Sequence, residues 1–162
     1  MKSTNESSRP ASTQHAASQP PTISSFRGEF WFLSNFYAAS IWVDGERYAT
    51  VEHAYQAAKT DDPASRRLIR EAATPAIAKR LGRCCGLAPD WDSRRLGVML
   101  DLVRKKFENP LLRAMLLATE DAVLVEGNTW NDTFWGVCRG RGENWLGRIL
   151  MQVREECRQQ ST

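Results

Sequence analysis

What this chain has little of narrows its chemistry first. Its four cysteines stand at 84, 85, 138 and 157 with no CxxC spacing, and its only histidines are at 15 and 53. That pattern does not support a zinc site, so no metal and no cofactor is expected, and the thiols are expected to be reduced and mostly buried. No apolar run approaches the roughly 20 residues of a membrane span, and the N-terminus has no apolar signal-peptide core. A membrane role is therefore not expected, and the cytosol is the simplest location. Charge of one sign is scarce too: 22 Lys and Arg against 19 Asp and Glu leave a formal +3. So mild a balance permits a nucleic-acid partner without indicating one.

Bulky apolar side chains are nearly absent from residues 1–24, which are rich in Ser, Thr, Gln, Ala and Pro. Such a segment cannot offset its ordering entropy and is expected to be a disordered tail, with His15 no base for catalysis. Residues 25–159 remain, enough for one well-buried core and too few for two.

Within that domain the punctuation is mostly helical. Ala39–Val43 and Glu46–Tyr48 flank Asp44-Gly45, a two-residue hairpin turn. Thr50 caps a short helix running to Lys59, and Asp62-Pro63, Thr74-Pro75 and Asn109-Pro110 each set a capping side chain before a proline at the first helical position. Helices are expected at about 63–72, 75–82, 91–107 (opened by Asp90), 110–119 and 144–158, with a short buried strand at 122–126. Leu96, Met99, Leu100 and Val103 form the expected buried stripe of the third, and Leu111, Leu112, Met115 and Leu116 that of the fourth. The fold class is thus α+β and predominantly helical, with one small hairpin.

Three stretches are not accounted for by packing alone. On the 49–59 helix, Glu52, Gln56 and Lys59 recur at i, i+4 and i+7, a polar stripe on one face. Around residues 26–37, Arg27, Gly28, Ser34, Asn35 and Phe36 stand among crowded aromatics, equally readable as core filling or as a ligand-lining loop. The run from Gly127 to Val137 holds Asn128, Trp130, Asn131, Asp132, Trp135 and Gly136 and is neither an amphipathic strand nor a helix. Two indoles there must fold over something apolar. Arg66, Arg67, Arg70, Lys79, Arg80 and Arg83 read by default as a solvated face, with a pyrophosphate site as the alternative for a larger nucleotide substrate, and the Arg139–Gly142 loop as a weak phosphate site.

Phe32-Leu33-Ser34-Asn35-Phe36, Val51-Glu52-His53-Ala54-Tyr55-Gln56-Ala57-Ala58-Lys59, Asp90-Trp91-Asp92 and Gly127–Gly136 occur in this order over residues 26–156. In that arrangement the chain resembles the NADAR or YbiA-like family of N-glycosidases. The resemblance implies a compact, single YbiA-like α+β domain that hydrolyses the bond between ribose and an amino-substituted heterocycle. Its implied partners are small molecules: phosphoribosylamino-pyrimidines of riboflavin synthesis, or ADP-ribose attached to guanine, the latter extending to ADP-ribosylated nucleic acid.

Breaking a C1'–N bond builds positive charge on the sugar and negative charge on the departing nitrogen. Glu52 would stabilise the sugar cation and activate water, while Asp132 would orient the ribose hydroxyls or act as a second carboxylate. Lys59 would protonate the leaving group or attack an opened sugar as an imine. Trp91, Trp130 and Trp135 are the expected platforms for a flat heterocycle. Arg27, Arg139 or Arg141 would hold a phosphate, and Gly28, Ser34, Asn35, Phe36, Gln56, Asn128 and Gly136 would complete the binding set. Three outcomes stay open at this point: an N-glycosidase of small phosphoribosylamines, a hydrolase removing ADP-ribose from guanine, and a non-catalytic nucleotide binder.

Overall fold

The computed structural model describes residues 19–160. The expected tail over residues 1–24 therefore lies mostly outside the described residues, but its end does not behave as a tail. Thr22–Ile23 form strand β1, which pairs in parallel with β4, Val123–Leu124. Backbone hydrogen bonds from Val123 N to Pro21 O (2.8 Å) and from Val125 N to Ile23 O (2.9 Å) fasten the pair. Order thus begins ahead of Ser25, because two residues with modest side chains gain a ladder from a strand 101 positions away in sequence.

The aromatic stretch that follows becomes a 3-10 helix, Gly28–Leu33, neither a strand nor an open loop. Phe26, Phe32 and Leu33 bury beneath it, and Gly28 takes a positive φ of 57° at its start. β2 (Ile41–Val43) and β3 (Glu46–Tyr48) form the expected hairpin, with Asp44 and Gly45 both at positive φ in the turn.

Side-chain capping then opens the helices that the sequence marks. Thr50 accepts from His53 N at the start of α1 (Val51–Ala57), and Asp62 from Ser65 N at α2 (Pro63–Arg70). Thr74 accepts from Ile77 N at α3 (Pro75–Cys84). α4 (Trp91–Lys106) follows Asp90, whose side chain makes no capping bond and instead pairs with Arg94. Asn109 caps α5 (Pro110–Leu117), accepting from Leu111 and Leu112. After β4 come two very short strands, β5 (Gly127–Asn128) and β6 (Val137–Cys138), paired in parallel, and α6 (Trp145–Gln159) closes the fold.

The core joins these pieces at Leu33, Val103, Leu116, Leu124 and Leu150, all fully buried. α4 buries Met99, Leu102 and Val103, while Leu96 and Leu100 are only half-buried. On α5, Leu112 and Leu116 bury, whereas Leu111, one position round the helix from Leu112, lies open to solvent. Of the thiols, Cys138 and Cys157 are buried, Cys85 is half-buried and Cys84 is exposed, and none of the four is in a disulfide. Among the described residues no helix is long and apolar enough to cross a membrane.

Two features of this packing position the site. All seven residues of α1 are buried, including Glu52, His53 and Gln56, so the helix that sequence periodicity paints as two-faced is covered on every side. Lys106, in phase with Met99 and Val103 on α4, is also buried, its Nζ donating to Ser34 O at 2.7 Å. Burial pushes the Lys106 ammonium down to about 7, and the Glu126 carboxylate partly restores it.

Candidate active site

Between α1, α3, the 3-10 helix and the 127–137 loop opens a cavity of about 990 Å³. The two acids singled out by sequence, Glu52 of the early helix and Asp132 of the late loop, both line it. Lining it too are Arg27, Ser34, Asn35, Phe36, Gln56, Lys59, Trp130 and Trp135. Ring contacts hold its two halves together: Trp135 meets Tyr55 of α1 edge-on, with centroids 5.4 Å apart.

α1 supplies the floor. The Glu52 backbone N–H donates to Asn35 O at 3.1 Å, which ties the helix start to the Ser34–Phe36 segment. One turn on, Gln56 Nε2 donates to Glu52 Oε1 at 2.7 Å, so the predicted i, i+4 stripe is a hydrogen-bonded pair facing the cavity. Burial pushes the Glu52 carboxyl up, and Lys79, the Gln56 hydrogen bond and Lys59 draw it back. Lys59 is pushed down, again chiefly by burial, and its Nζ lies 5.4 Å from the Tyr55 ring centre. His53 is fully engaged elsewhere, with Nδ1 2.8 Å from Thr50 Oγ1 and Nε2 3.1 Å from Ala72 O.

The late loop folds around Asn128 and Asp132. Asn128 Nδ2 donates to Asp132 O (2.7 Å), and its Oδ1 accepts from Asp132 N (3.1 Å). Asp132 Oδ1 accepts in turn from Phe134 N (3.2 Å) and Trp135 N (2.9 Å), an Asx turn that aims the indole of Trp135 at Tyr55. Part of Asp132 is thus structural, and the remainder of its carboxylate is what the cavity meets.

Several predicted residues fall outside the cavity. Trp91 is 4% exposed and packs under Tyr55 with centroids 5.2 Å apart, so it supports the floor and offers no open face for stacking. Asn128 builds the loop and lines only a shallower depression of about 430 Å³. That depression also takes in Arg27, Arg139 and Gly140, whereas Arg141 lies exposed and lines neither hollow. Gly28 is exposed and lines neither hollow. Gly136 serves backbone packing: a Cβ there would sit 2.2 Å from Glu126 O.

The structure brings in residues that sequence reading passed over. Lys79 and Arg83, by default a solvated face and only under the ADP-ribose reading part of a pyrophosphate site, are one turn apart on α3 and both line the cavity, and the Lys79 ammonium lies 5.7 Å from the Phe36 ring centre. Trp31 stands at the mouth, 42% exposed, with Trp130 at 52%. Glu126, at the end of the apolar 122–125 run, is the third carboxyl of the cavity. Its neighbours Ala122 and Leu124 bury, so an alternating strand period would have pointed its side chain inward.

Four buried side-chain polar atoms have no protein hydrogen-bond partner among the described residues, and three of these belong to the cavity wall: Asn35 Oδ1, Gln56 Oε1 and Glu126 Oε2. Buried polar groups left unpaired in this way carry a desolvation penalty that a polar ligand would relieve. The hollow therefore combines three carboxyls, four cations (Arg27, Lys59, Lys79, Arg83) and two part-exposed indoles at its lip. No group of three or more His, Cys, Asp or Glu among the described residues is arranged to hold a metal ion.

A family model for the NADAR domain matches residues 25–158. N-glycosidase YbiA of Escherichia coli (strain K12) is 45% identical over 128 residues, 76% of this chain and 79% of that protein. N-glycosidase Npun_R5314 of Nostoc punctiforme is also 45% identical, over 78% of this chain and 85% of its own length. Riboflavin biosynthesis protein VVA0006 of Vibrio vulnificus is 45% identical over 77% of this chain, which corresponds to 35% of the larger protein. Among solved structures, the NMR structure of E. coli YbiA superposes with a TM-score of 0.79 at 38% identity, covering 91% of this chain and 92% of that one.

Proposed function

The chain belongs to the NADAR family, and we propose that its cavity hydrolyses the N-glycosidic bond between ribose 5-phosphate and an amino-substituted pyrimidine of the riboflavin route. The observation that carries this reading is the convergence of Glu52 and Asp132, acids 80 positions apart in sequence, on one hollow rimmed by indoles. The NADAR match and the N-glycosidase and riboflavin names of its relatives support the same reaction class.

In this reading the heterocycle lies between Trp31 and Trp130, whose faces gain about 1–3 kcal/mol per stacked base. The sugar sits over Glu52. As the C1'–N bond breaks, its electron pair leaves on nitrogen and C1' becomes cationic, which a carboxylate held among apolar groups stabilises strongly. A water oxygen bonds to C1' and its proton passes to Glu52, while the departing nitrogen takes up a proton from an acid of the cavity, so the products are ribose 5-phosphate and a free amine. Gln56 fixes the carboxylate, and Asp132 meets the ribose hydroxyls with the oxygen that its Asx turn leaves over. Lys59 stands near Glu52 and favours its anionic form. Lys79 and Arg83 form the cationic wall for the phosphate, a place that sequence reading gave to Arg27, Arg139 or Arg141.

Removal of ADP-ribose from guanine is the second reading. The cavity volume favours it: about 990 Å³ stands at the top of the range of roughly 300–1,000 Å³ usual for small-molecule sites. The shallower depression also continues from Arg27 and Gly127, which the two hollows share. One assay separates the readings. Incubation with a phosphoribosylamino-pyrimidine is expected to release ribose 5-phosphate, and an oligonucleotide bearing ADP-ribosyl-guanine is expected to be a poorer substrate per unit of protein. Faster restoration of the oligonucleotide would invert the order, and turnover of neither, with tight ADP-ribose binding, would leave a nucleotide-binding module.

A further inference from the structure

We propose that Glu126 is a catalytic residue of this cavity, the acid whose carboxyl proton passes to the departing nitrogen. The proposal rests on the N-glycosidase reading above, in which the departing nitrogen needs a proton; Lys59, the donor expected from sequence, is instead placed beside Glu52 and over the Tyr55 ring.

Three observations converge on it. First, Glu126 is held by its backbone on both sides: its N–H donates to Asn144 Oδ1 (3.0 Å) and its carbonyl accepts from Val137 N (2.9 Å). Asn144 is itself fixed, in the left-handed region with φ 55° and with Nδ2 donating to Leu124 O at 2.9 Å. A side chain on so constrained a backbone is pre-aimed, as a proton donor needs to be. Second, the carboxyl lines the cavity, and its Oε2 is buried without a protein partner, which leaves that oxygen for a ligand. Third, the other acids are committed. Glu52 is tied to Gln56 beside two lysines, and Asp132 Oδ1 accepts from two backbone N–H groups.

The surroundings suit a donor at neutral pH. Burial pushes the Glu126 carboxyl up to about 7, Asp132 of the late loop pushes the same way, and Lys79 of α3, Arg27 ahead of the 3-10 helix and Lys106 of α4 pull it back. Protons balance over the cycle: Glu126 gives one to the leaving nitrogen, Glu52 takes one from water, and exchange with solvent resets both. The overall change is addition of one water across the C1'–N bond.

The test compares the wild type with Glu126→Gln and Glu126→Asp on two substrates, a phosphoribosylamino-pyrimidine and 4-nitrophenyl riboside 5-phosphate, whose phenolate leaves without a proton. Glu126→Gln is expected to lower kcat on the amine by about 10²–10⁴-fold, the usual worth of general acid catalysis. On the nitrophenyl substrate it is expected to stay within about threefold by the same principle, since no proton is needed there. The fall in wild-type rate above pH 7 should vanish in Glu126→Gln, and Glu126→Asp, which keeps an acid, should recover part of the loss. Unchanged melting of both variants verifies the fold. Equal losses on the two substrates, or an unaltered pH profile, would overturn the assignment while leaving the reaction class standing. A wild type inert toward every N-riboside would instead bring down the reading on which the assignment rests.

Discussion

Glu52→Gln lowers turnover of the phosphoribosylamino-pyrimidine by at least about 10³-fold, roughly 4 kcal/mol of transition-state stabilisation, with little change in KM. The amide matches the carboxylate in shape, so the pair with Gln56 can persist in another orientation, but the negative charge opposite C1' and the base for water are both gone. Because the group is only 6% exposed, no solvent screens that loss. Stability moves the other way. Burial holds the Glu52 carboxyl above its ordinary value of 4.5, so folding takes up a proton there. The stability linked to that proton is full below pH 4.5 and is lost as pH rises through the folded-state value. Removing the ionisable group removes this loss, so the variant should melt no lower than the wild type at pH 7. Single-turnover kinetics with a thermal melt decide the matter. A rate within threefold of wild type rules Glu52 out of the chemistry.

Gly136→Ala is expected to destabilise the domain by about 2–4 kcal/mol, the range for forced repacking at a tight backbone contact. The added Cβ would lie 2.2 Å from Glu126 O, 2.8 Å from Asn128 Nδ2 and 3.0 Å from Glu126 Cγ. The first of these is main chain and cannot swing aside. It also receives the Val137 N–H, so relieving the clash breaks the bond that closes the late loop onto β5. At roughly 2–4 °C per kcal/mol for a domain of this size, the melting temperature should fall by about 5–15 °C. Activity should fall with it even well below the melt, because the segment bearing Glu126, between β4 and β5, and the loop bearing Asp132 are pushed apart. A melting temperature within 2 °C of wild type would show that the loop accommodates the methyl and that the close approach has no structural weight.

The parts of the molecule that were readable from sequence are those decided within a few residues. Thr50, Asp62, Thr74 and Asn109 cap helices with their own side chains, and the Asp44-Gly45 turn needs two positive φ values. What escaped depends on partners far along the chain. β1 exists only because β4 offers it an edge, and Lys79 and Arg83 face the cavity because α3 packs on α1, with Gly82 pressed against Gln56. A basic helix face looks the same in sequence whether water or a ligand site lies against it. Trp91 erred in the opposite direction: its helical phase, eight residues before Met99, puts it on the buried stripe, and the reading gave its aromaticity more weight than its position. Lys106 shares that stripe, and Glu126 alternates with Ala122 and Leu124, so both were within reach of the same periodicity.

α1 has only seven residues, all of them buried. A helix of two turns does not persist in water on its own. It holds its shape only while neighbours cover each of its faces. Glu52 therefore has no local folding unit to live in, and it takes up its place only when the last of the surrounding layers closes. Such an enzyme has no half-assembled form that works: heat, denaturant or a distant packing defect would extinguish turnover and the cooperative core in a single step.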